Sequence, residues 1–494
     1  MLLKDLIGIG SEILLVWNLC FFIVKLTLDS LNTNKTELLI VASLHQFIFI
    51  LVLCILNIFM FYNVNYGYVC FDTIYISGYT QVAKTILYAM MFLMCICSIP
   101  YLKTYKINYF EFTGFLWFST IGFSFLISAN TAILLYLALE LQAFSFYVLA
   151  SLEKENFVSI EAALKYFVFG SIASGIIAYG FTYIYLEFGT LNFKELALTN
   201  FDIYLSEHKL VIDGILCILT GFFLKLYVAP FHMWIADIYQ GAPVPVTMLF
   251  ATIPWYIYIG VCIKLFLVVF KDVFINVFDL NILLVIFSCF SLICGTLGAM
   301  MQCTIRKFIA YSSVNHIGFI LLCFLYPSLE GVVSLLQYVF FYLISTFSFF
   351  CLLLSIKDTD TNKSLEYLYQ LKGLHKQYPI LALCFILILF SFAGIPPLAG
   401  FFVKFQILQI AVNLQLGYYF LCVALLTTII SVYYYLHIIK ILIFPIDTLR
   451  TLKITSFYTC VIGIVNTSIL ATFILWMPYF YDFLTYCALM ILDV

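Results

Sequence analysis

A few ionisable side chains lie inside long apolar stretches of the sequence. Glu140 falls within TAILLYLALELQAFSFYVLA, and Lys165, Lys225, Lys264 and Lys404 interrupt other apolar runs. A charge at the centre of a bilayer costs about 2.5 to 3.5 kcal/mol. Burial favours the neutral forms of lysine and glutamate, whereas a partner of opposite sign holds both charged. A buried lysine whose acidic partner moves away can therefore lose a proton and later regain it.

Two of these lysines lie close to prolines. Lys225 precedes Pro230 in FFLKLYVAPFHMW, and Lys404 follows the double proline of FSFAGIPPLAGFFVKF. His232 and His316 titrate near neutrality and could connect the lysines through water, although a lone intramembrane histidine can also be a hydrogen-bonded packing residue. These positions are the strongest candidates for proton handling.

Lys165 and Lys264 each allow a local interpretation. Lys165 follows Glu161 in the favourable i, i+4 order, so a surface salt bridge competes with a proton-handling role. Lys264 lies near the predicted outer end of its apolar run and could extend its ammonium toward the outer surface. We therefore keep Lys165 as a candidate and leave Lys264 out.

The composition excludes most other protein classes. Of 494 residues, 65% are hydrophobic and only 10% are charged, and 23 basic residues face 25 acidic ones. A soluble domain is usually about 25% charged, while a disordered chain or a nucleic-acid binder needs more polar or basic residues. A polytopic, all-α membrane protein remains.

Apolar runs of about 20 residues between polar positions predict about fourteen transmembrane helices. The predicted spans are 9–28, 38–62, 83–101, 110–128, 131–150, 159–186, 210–230, 245–270, 280–301, 308–326, 332–356, 378–412, 415–441 and 456–482.

Two of these spans contain features that break helices. Pro230 ends the seventh, and Gly394, Pro396 and Pro397 divide the twelfth, which is too long for one straight crossing. Proline removes an amide donor and clashes with the preceding turn, and unwound backbone at membrane depth is tolerated only where protein or water satisfies it. A packing kink would explain either break alone, but paired breaks favour an ion path within an inverted repeat.

Basic residues predict the orientation of the chain, because they concentrate on the cytoplasmic or matrix side. Loops and helix ends on one side hold Lys25, Lys35, Lys103, Lys106, Lys154, Arg306, Lys307, Lys357, Lys363, Lys372, Lys376, Lys440, Arg450 and Lys453, and the other side holds Lys4, Lys84, Lys194, Lys209 and Lys271. Both termini are therefore predicted to face outward.

No metal site is predicted. The 16 cysteines are scattered along apolar stretches, and the isolated pair Cys95 and Cys97 lacks the further ligands that a zinc or iron–sulfur site needs.

The N-terminus has neither the composition of a transit peptide nor a small-residue cleavage site. Arginine occurs only at Arg306 and Arg450, while Phe and Tyr are abundant. This usage favours a gene within an AT-biased organelle genome.

Four stretches carry a family resemblance. They are FLKLYVAPFHMWIADIYQGAPVPVTMLFAT, IRKFIAYSSVNHIGFIL, FSFAGIPPLAGFFVKF and SVYYYLHI. They resemble the signature stretches of the antiporter-like subunit 2 (bacterial subunit N) family of respiratory complex I, NADH:ubiquinone oxidoreductase, which is related more remotely to subunits 4 and 5 and to Mrp-type cation/proton antiporters. The resemblance runs from about residue 130 to residue 440.

The resemblance implies an architecture of two inverted five-helix repeats with discontinuous helices 7 and 12. The implied divisions are three N-terminal helices in 1–108, a first repeat in 109–275, a second repeat in 276–445, and a last helix and tail in 446–494.

The resemblance also implies roles for the candidate residues. Glu140 matches the family's helix-five glutamate and Lys225 its helix-seven lysine, an ion pair whose separation gates proton transfer. The remaining matches are Lys165 (helix-six lysine), His232 (past the break), His316 (helix-ten histidine) and Lys404 (helix-twelve lysine, facing the outer exit).

One position departs from the family pattern. The expected helix-eight lysine falls on Trp255, which cannot carry a proton. Lys264 lies on the opposite face, because nine residues at about 100° each give half a turn beyond two full turns. The central part of the proton path would then run through His232, His316 and water, or the subunit would not pump protons alone.

The implied function is a membrane-arm subunit of complex I that translocates protons without redox chemistry of its own. FMN, iron–sulfur clusters and ubiquinone are expected elsewhere in the complex; the implied partners are other membrane-arm subunits and lipids such as cardiolipin, with no nucleic acid. The implied location is the mitochondrial inner membrane, with both termini in the intermembrane space. A stand-alone cation/proton antiporter and a purely structural scaffold remain alternatives.

Overall fold

The structure, a computed structural model, is built almost entirely from helices. It describes residues 8–29, 49, 52–58, 67–199, 209–276, 278–359, 363–413, 417–444 and 451–492. Two short, two-stranded antiparallel sheets are the sheet structure in these ranges. The predicted all-α class is confirmed.

The described residues form two compact units. The first unit includes the described residues of Met1–Phe222 together with Gly260–Phe270 and residues 490–492 at the end of the last helix. Its hairpin pairs β1 (Gly67–Val69) with β2 (Ile74–Ile76). Helices α1 to α7 are Gly10–Asp29, Gly78–Tyr105, Tyr109–Ser128, Ala132–Ala150, Phe157–Phe188, Phe193–Ala197 and Lys209–Lys225, whose last three residues belong to the second unit.

The second unit includes Phe223–Ile259 and the described residues of Lys271–Leu489. Its two-stranded antiparallel sheet pairs β3 (Ile356–Asp358) with β4 (Leu452–Ile454). Helices α8 to α19 are Met233–Gly241, Val244–Cys262, Lys271–Asn276, Phe278–Met300, Ile305–Cys323, Leu329–Ser355, Leu374–Gln377, Pro379–Ala393, Ala399–Asn413, Gly417–Ile443, Phe457–Ala471 and Phe473–Leu492. The end of α9, from Gly260 onward, belongs to the first unit. The same holds for the π-helix Ile263–Val269, which continues α9.

Nine helices in the described ranges are long and apolar enough to cross a membrane. Four shorter apolar helices accompany them: Gly10–Val24, Pro379–Ala393, Ala399–Asn413 and Phe457–Ala471. Most of the predicted second span, 38–62, lies outside the described residues. The predicted last span, 456–482, is two helices that meet at Thr472.

Side-chain oxygens cap the N-termini of several helices. Ser77 and Thr80 form a capping box at the start of α2, in which each side chain bonds the other's backbone N–H. Inside the spans, hydroxyls donate to carbonyls of the preceding turn, as Ser119 does to Leu116 at 2.7 Å. Polar residues are thereby accommodated in apolar helices without an unsatisfied donor.

The predicted break in the seventh span is present, but it begins before Pro230. Helix α7 ends at Lys225, and α8 begins at Met233. Tyr227 has a left-handed backbone (φ 48°) in the connecting turns, and the Val228 amide donates to the Phe223 carbonyl at 3.0 Å.

The predicted break in the twelfth span is also present. Helix α15 ends at Ala393 and α16 begins at Ala399. Gly394 caps α15 in the left-handed region with φ 83°, where a side chain would be strained, and its amide donates to the Phe390 carbonyl at 3.0 Å. The long apolar stretch is therefore two half-length helices.

The sequence placed Lys84 wrongly among loop and helix-end residues. The capping box at Ser77 starts α2 at Gly78, well before the predicted start at 83, so Lys84 lies inside the helix. Its side chain is fully buried and forms an ion pair with Glu12 of α1. Lys84 therefore carries no information on orientation, and Lys4, Lys35 and Arg450 lie outside the described residues.

Helices α5 and α7 approach closely in the first unit because glycines lie at their crossing. A Cβ at Gly180 would lie 2.6 Å from the Gly214 carbonyl oxygen and 2.7 Å from Ile218 Cγ1. At Gly175, in the same helix, no neighbouring heavy atom lies within 4 Å of the corresponding position. The close packing of α5 against α7 therefore depends on Gly180 and not on Gly175.

We predict that Gly180→Val lowers the thermal stability of the protein, whereas Gly175→Val does not. Forcing extra methyl groups into a packed contact costs about 1–3 kcal/mol, and both substitutions change helix propensity equally. Thermal unfolding in detergent, followed with a thiol-reactive dye, measures the difference. Equal melting temperatures for the two variants would contradict this packing.

Candidate functional site

Lys404 lies at the break between α15 and α16. Its side chain is buried, and its Nζ donates to the Phe392 carbonyl at 2.6 Å and to the Ala393 carbonyl at 3.3 Å. These carbonyls belong to the last turn of α15, where the break leaves them without intrahelical partners and the helix dipole is negative. The ammonium is therefore compensated by backbone dipoles.

Gly394 makes room for this lysine. A Cβ at this position would lie 3.1 Å from Lys404 Cδ. The left-handed backbone that ends α15 therefore also lets the lysine stem pass close to the chain. Lys404 Nζ further lies 5.4 Å from the centroid of the Phe319 ring, within reach of a cation–π interaction.

His316 lies in α12 with no exposed surface. Its Nδ1 is 2.7 Å from the hydroxyl of Tyr338 in α13. In the described part of the chain, its Nε2 has no hydrogen-bond partner. The tyrosine fixes the orientation of the ring and leaves the second nitrogen able to accept or donate a proton.

Phe392 connects His316 to Lys404. Its carbonyl accepts from the lysine, and its ring centroid is 5.4 Å from that of the histidine. The structure thus brings together two predicted site residues that are far apart in sequence.

Trp255 of α9 packs on Tyr342, which in turn packs on His316. Its ring centroid is 3.8 Å from that of Tyr342, which is 5.2 Å from that of His316. Trp255 is 1% exposed, and its Nε1 has no partner among the described residues. An indole can donate a hydrogen bond but cannot carry a proton through the site.

Lys225 and His232 flank the unwound segment after α7. Lys225 is the last residue of that helix and is buried, which places its ammonium at the negative end of the helix dipole. His232 caps the start of α8, and its ring centroid is 6.1 Å from that of Tyr311. Its Nδ1 has no hydrogen-bond partner within the ranges that the structure describes.

Basic residues at the start of α12 hold α8 in place. Arg306 donates to the Ala242 carbonyl, at the end of α8, at 2.6 Å. Lys307 forms an ion pair with Asp237 at 3.5 Å. Helix α8, which His232 caps, is therefore held at its middle and its C-terminal end by the helix that carries His316.

Glu140 and Lys165 lie in the first unit. Glu140 is half-buried, near the middle of α4. Lys165 of α5 forms the expected i, i+4 ion pair with Glu161, with Nζ 2.8 Å from the carboxylate, and both side chains are exposed on the surface of the chain. Lys165 therefore has a carboxylate partner and an exposed side chain, whereas Lys404 is buried against backbone carbonyls.

Lys264 contacts the end of a helix in the first unit, and its extension toward the outer surface stays a prediction. Its Nζ donates to the carbonyl of Ala129, which caps the C-terminus of α3, at 2.7 Å. The rings of Tyr75 and Phe193 lie 5.5 and 5.8 Å from Nζ.

Sequence reasoning missed Tyr338, Tyr342 and the pair of Glu12 and Lys84. Tyrosine is abundant throughout this chain, so neither tyrosine carries a sequence signal of its own. Among the described residues, no group of three His, Cys, Asp or Glu side chains is arranged to hold a metal ion.

Comparisons with known proteins show which family this chain resembles. Residues 129–431 match the family model described as "NADH:quinone oxidoreductase/Mrp antiporter, TM". The chain is 38% identical to NADH-quinone oxidoreductase subunit N of Pelagibacter ubique over 70% of its own length and 72% of the relative's. It is 35% identical to NADH-ubiquinone oxidoreductase chain 2 of Marchantia polymorpha over 77% of its own length and 76% of the relative's.

A solved structure shows a similar fold. A chain of respiratory complex I from Thermus thermophilus superposes with a TM-score of 0.72 at 23% identity, covering 95% of this chain and 98% of that one.

We predict that Tyr338→Phe destabilises the protein by about 1–3 kcal/mol, because a buried nitrogen of His316 loses its only hydrogen-bonding partner in the described structure. Tyr419→Phe is the control, since Tyr419 is 71% exposed. Thermal unfolding of the two variants in detergent measures the difference. A Tyr338→Phe variant that melts with the control would show that the hydrogen bond contributes nothing.

Proposed function

The chain belongs to the NADH:quinone oxidoreductase/Mrp antiporter family, and on this premise we propose that it is a proton-translocating, antiporter-like subunit in the membrane arm of respiratory complex I. The observation that carries the proposal is the contact of buried Lys404 with the freed carbonyls of α15, beside His316. NADH:ubiquinone electron transfer elsewhere in the complex would drive the translocation.

The partners of Lys404 suit a reversible proton carrier. Backbone carbonyls stabilise the ammonium without a full negative charge. When Lys404 gives up its proton, no unpaired carboxylate is left behind in the membrane. The neutral amine can still hydrogen-bond to the same carbonyls, so both protonation states are accommodated.

The second unit contains further buried polar atoms whose hydrogen-bonding capacity is unused. Within the described structure, His316 Nε2, His232 Nδ1, Trp255 Nε1 and both amide atoms of Gln337 have no protein partner. Buried polar atoms in proteins are commonly satisfied by ordered water. We propose that water joins these groups into the path that Trp255 alone could not conduct.

The remaining site residues follow the family resemblance. We propose that Glu140 and Lys225 form the gating ion pair, that His232 receives the proton past the α7 break, and that Lys165 takes part from the first unit. The buried position of Lys225 at the end of α7 supports its role. Lys165 has weaker support, because its exposed pairing with Glu161 is also a sufficient structural role.

We propose fourteen transmembrane helices with inverted repeats at 109–275 and 276–445, three N-terminal helices in 1–108 and a C-terminal segment in 446–494. The breaks after α7 and α15 support the repeats. The setting would be the mitochondrial inner membrane with both termini in the intermembrane space. Other membrane-arm subunits and lipids such as cardiolipin would be partners, and FMN, iron–sulfur clusters and ubiquinone would lie elsewhere in the complex.

A structural scaffold is the second candidate, and Trp255 favours it. A tryptophan packed on Tyr342 fills the position where a lysine was expected. Under this function, substitutions at the buried lysines would change assembly and leave pumping by the assembled complex intact.

We predict that Glu140→Gln and Lys225→Ala each lower the number of protons translocated per electron in the reconstituted complex. Losing a proton-transfer group typically slows the step by about 100-fold or more. Exposed Glu330→Gln and Lys154→Ala serve as matched controls. Unchanged stoichiometry and quinone reductase rate in both test variants would rule out the relay.

We predict that Lys404→Met lowers proton translocation in assembled complex, because methionine keeps the packing of the stem and removes the exchangeable proton. Lys440→Met, at an exposed position in the last turn of α17, is the control. Native gels report assembly, and proton uptake per electron reports pumping. Loss of assembly with normal pumping per assembled complex would support the scaffold instead.

A further inference from the structure

A second buried ion pair lies in the first unit, among helices that the candidate site does not include. Lys84 Nζ contacts Glu12 Oε1, and the two side chains are 0% and 1% exposed. The Ser11 hydroxyl donates to the other carboxylate oxygen, Glu12 Oε2, at 2.6 Å. Both oxygens of this carboxylate are therefore satisfied inside the protein.

The position of Lys84 is costly for a purely structural contact. It lies in the second turn of α2, an apolar helix long enough to cross a membrane, and its side chain is fully buried. Burying two charges also requires removing them from water, and apolar residues of similar size often stabilise a protein as well or better. Helix packing alone does not explain an ion pair here.

Further polar side chains continue from the pair on the same side of α2. Gln81 lies one turn before Lys84 and Tyr88 one turn after it, and each is 1% exposed. The Tyr88 hydroxyl is buried and has no hydrogen-bond partner among the described residues, so its hydrogen-bonding capacity is unused. Helices α1 and α2 thus place carboxylate, ammonium and hydroxyl groups on buried faces of the first unit.

We propose that Glu12, Lys84 and Tyr88 form a second proton-exchange site of this chain. In the exchange step, an N–H bond of the Lys84 ammonium breaks and an O–H bond forms on Glu12, which converts the ion pair into a neutral amine and a neutral acid. Glu12 then releases this proton through the hydroxyls of Ser11 and Tyr88, and Lys84 takes up another from water. One proton enters and one leaves, and the charge of the cluster is restored.

This site is separate from the proposed path through Lys225 and Lys404. All of its residues precede the family match, which begins at residue 129. The two proposals can therefore fail independently, and Glu140→Gln is measured alongside to show which one does.

The test uses complex assembled with the variant chain and reconstituted in liposomes. Glu12→Gln keeps an oxygen for Lys84 but cannot be an anionic proton acceptor, and Tyr88→Phe removes a single hydroxyl from the exit while leaving the ion pair intact. Glu111→Gln is the matched control, because Glu111 pairs with Lys154 at 3.3 Å on the exposed surface of the same unit. Assembly, quinone reduction rate and protons translocated per electron are measured for each.

We expect both Glu12→Gln and Tyr88→Phe to lose part of the proton yield per electron in assembled complex, while Glu111→Gln keeps all of it. The double variant Glu12→Gln with Lys84→Met, which removes both charges, is expected to remain deficient. Recovery of full yield in this double variant, or full yield per assembled complex in both single variants, would show that the pair only holds α1 and would overturn the proposal.

Discussion

A lysine ammonium inside the membrane must meet negative charge or dipoles, and the second unit is arranged around this requirement. At Lys404 the compensation comes from the last carbonyls of α15. An unbroken helix would have used these carbonyls in its own hydrogen bonds. The break at Gly394 is therefore the source of the lysine's binding site, and the proline pair that follows prevents the helix from closing again.

The surrounding aromatic residues depend on the same break. The ring of Phe392 contacts His316 while its carbonyl holds Lys404, so the end of α15 positions both ionisable groups. Tyr338 orients the histidine from α13, and Tyr342 lies between the histidine and Trp255. The rings surround a few buried nitrogen atoms that have no hydrogen-bond partner among the described residues. A packed aromatic shell with isolated polar openings is suited to a narrow, hydrated path.

Sequence patterns predicted those features whose cause is local. Gly394 and the prolines after it explain where α15 ends, and the i, i+4 spacing explains the ion pair between Glu161 and Lys165. Pro230 predicted a break in the seventh span, although α7 already ends at Lys225. The contact between Glu12 and Lys84 could not be predicted in this way, because 72 residues separate the partners and the true start of α2 depends on a capping box at its edge. Tyr338 was missed for a related reason, because its hydrogen bond with His316 forms only when α12 and α13 pack together.

The partner of each buried lysine limits what that lysine can do. Lys264 rests on the carbonyl of Ala129 at a helix end, and Lys404 rests on two such carbonyls, so either could become neutral without leaving an anion behind. Lys84 rests on a carboxylate, so its proton loss is favourable only if Glu12 accepts the proton, which ties the two groups into a single exchange. Lysines held by dipoles are therefore suited to pass protons along a chain of water, whereas a lysine held by an acid is suited to exchange them within a pair.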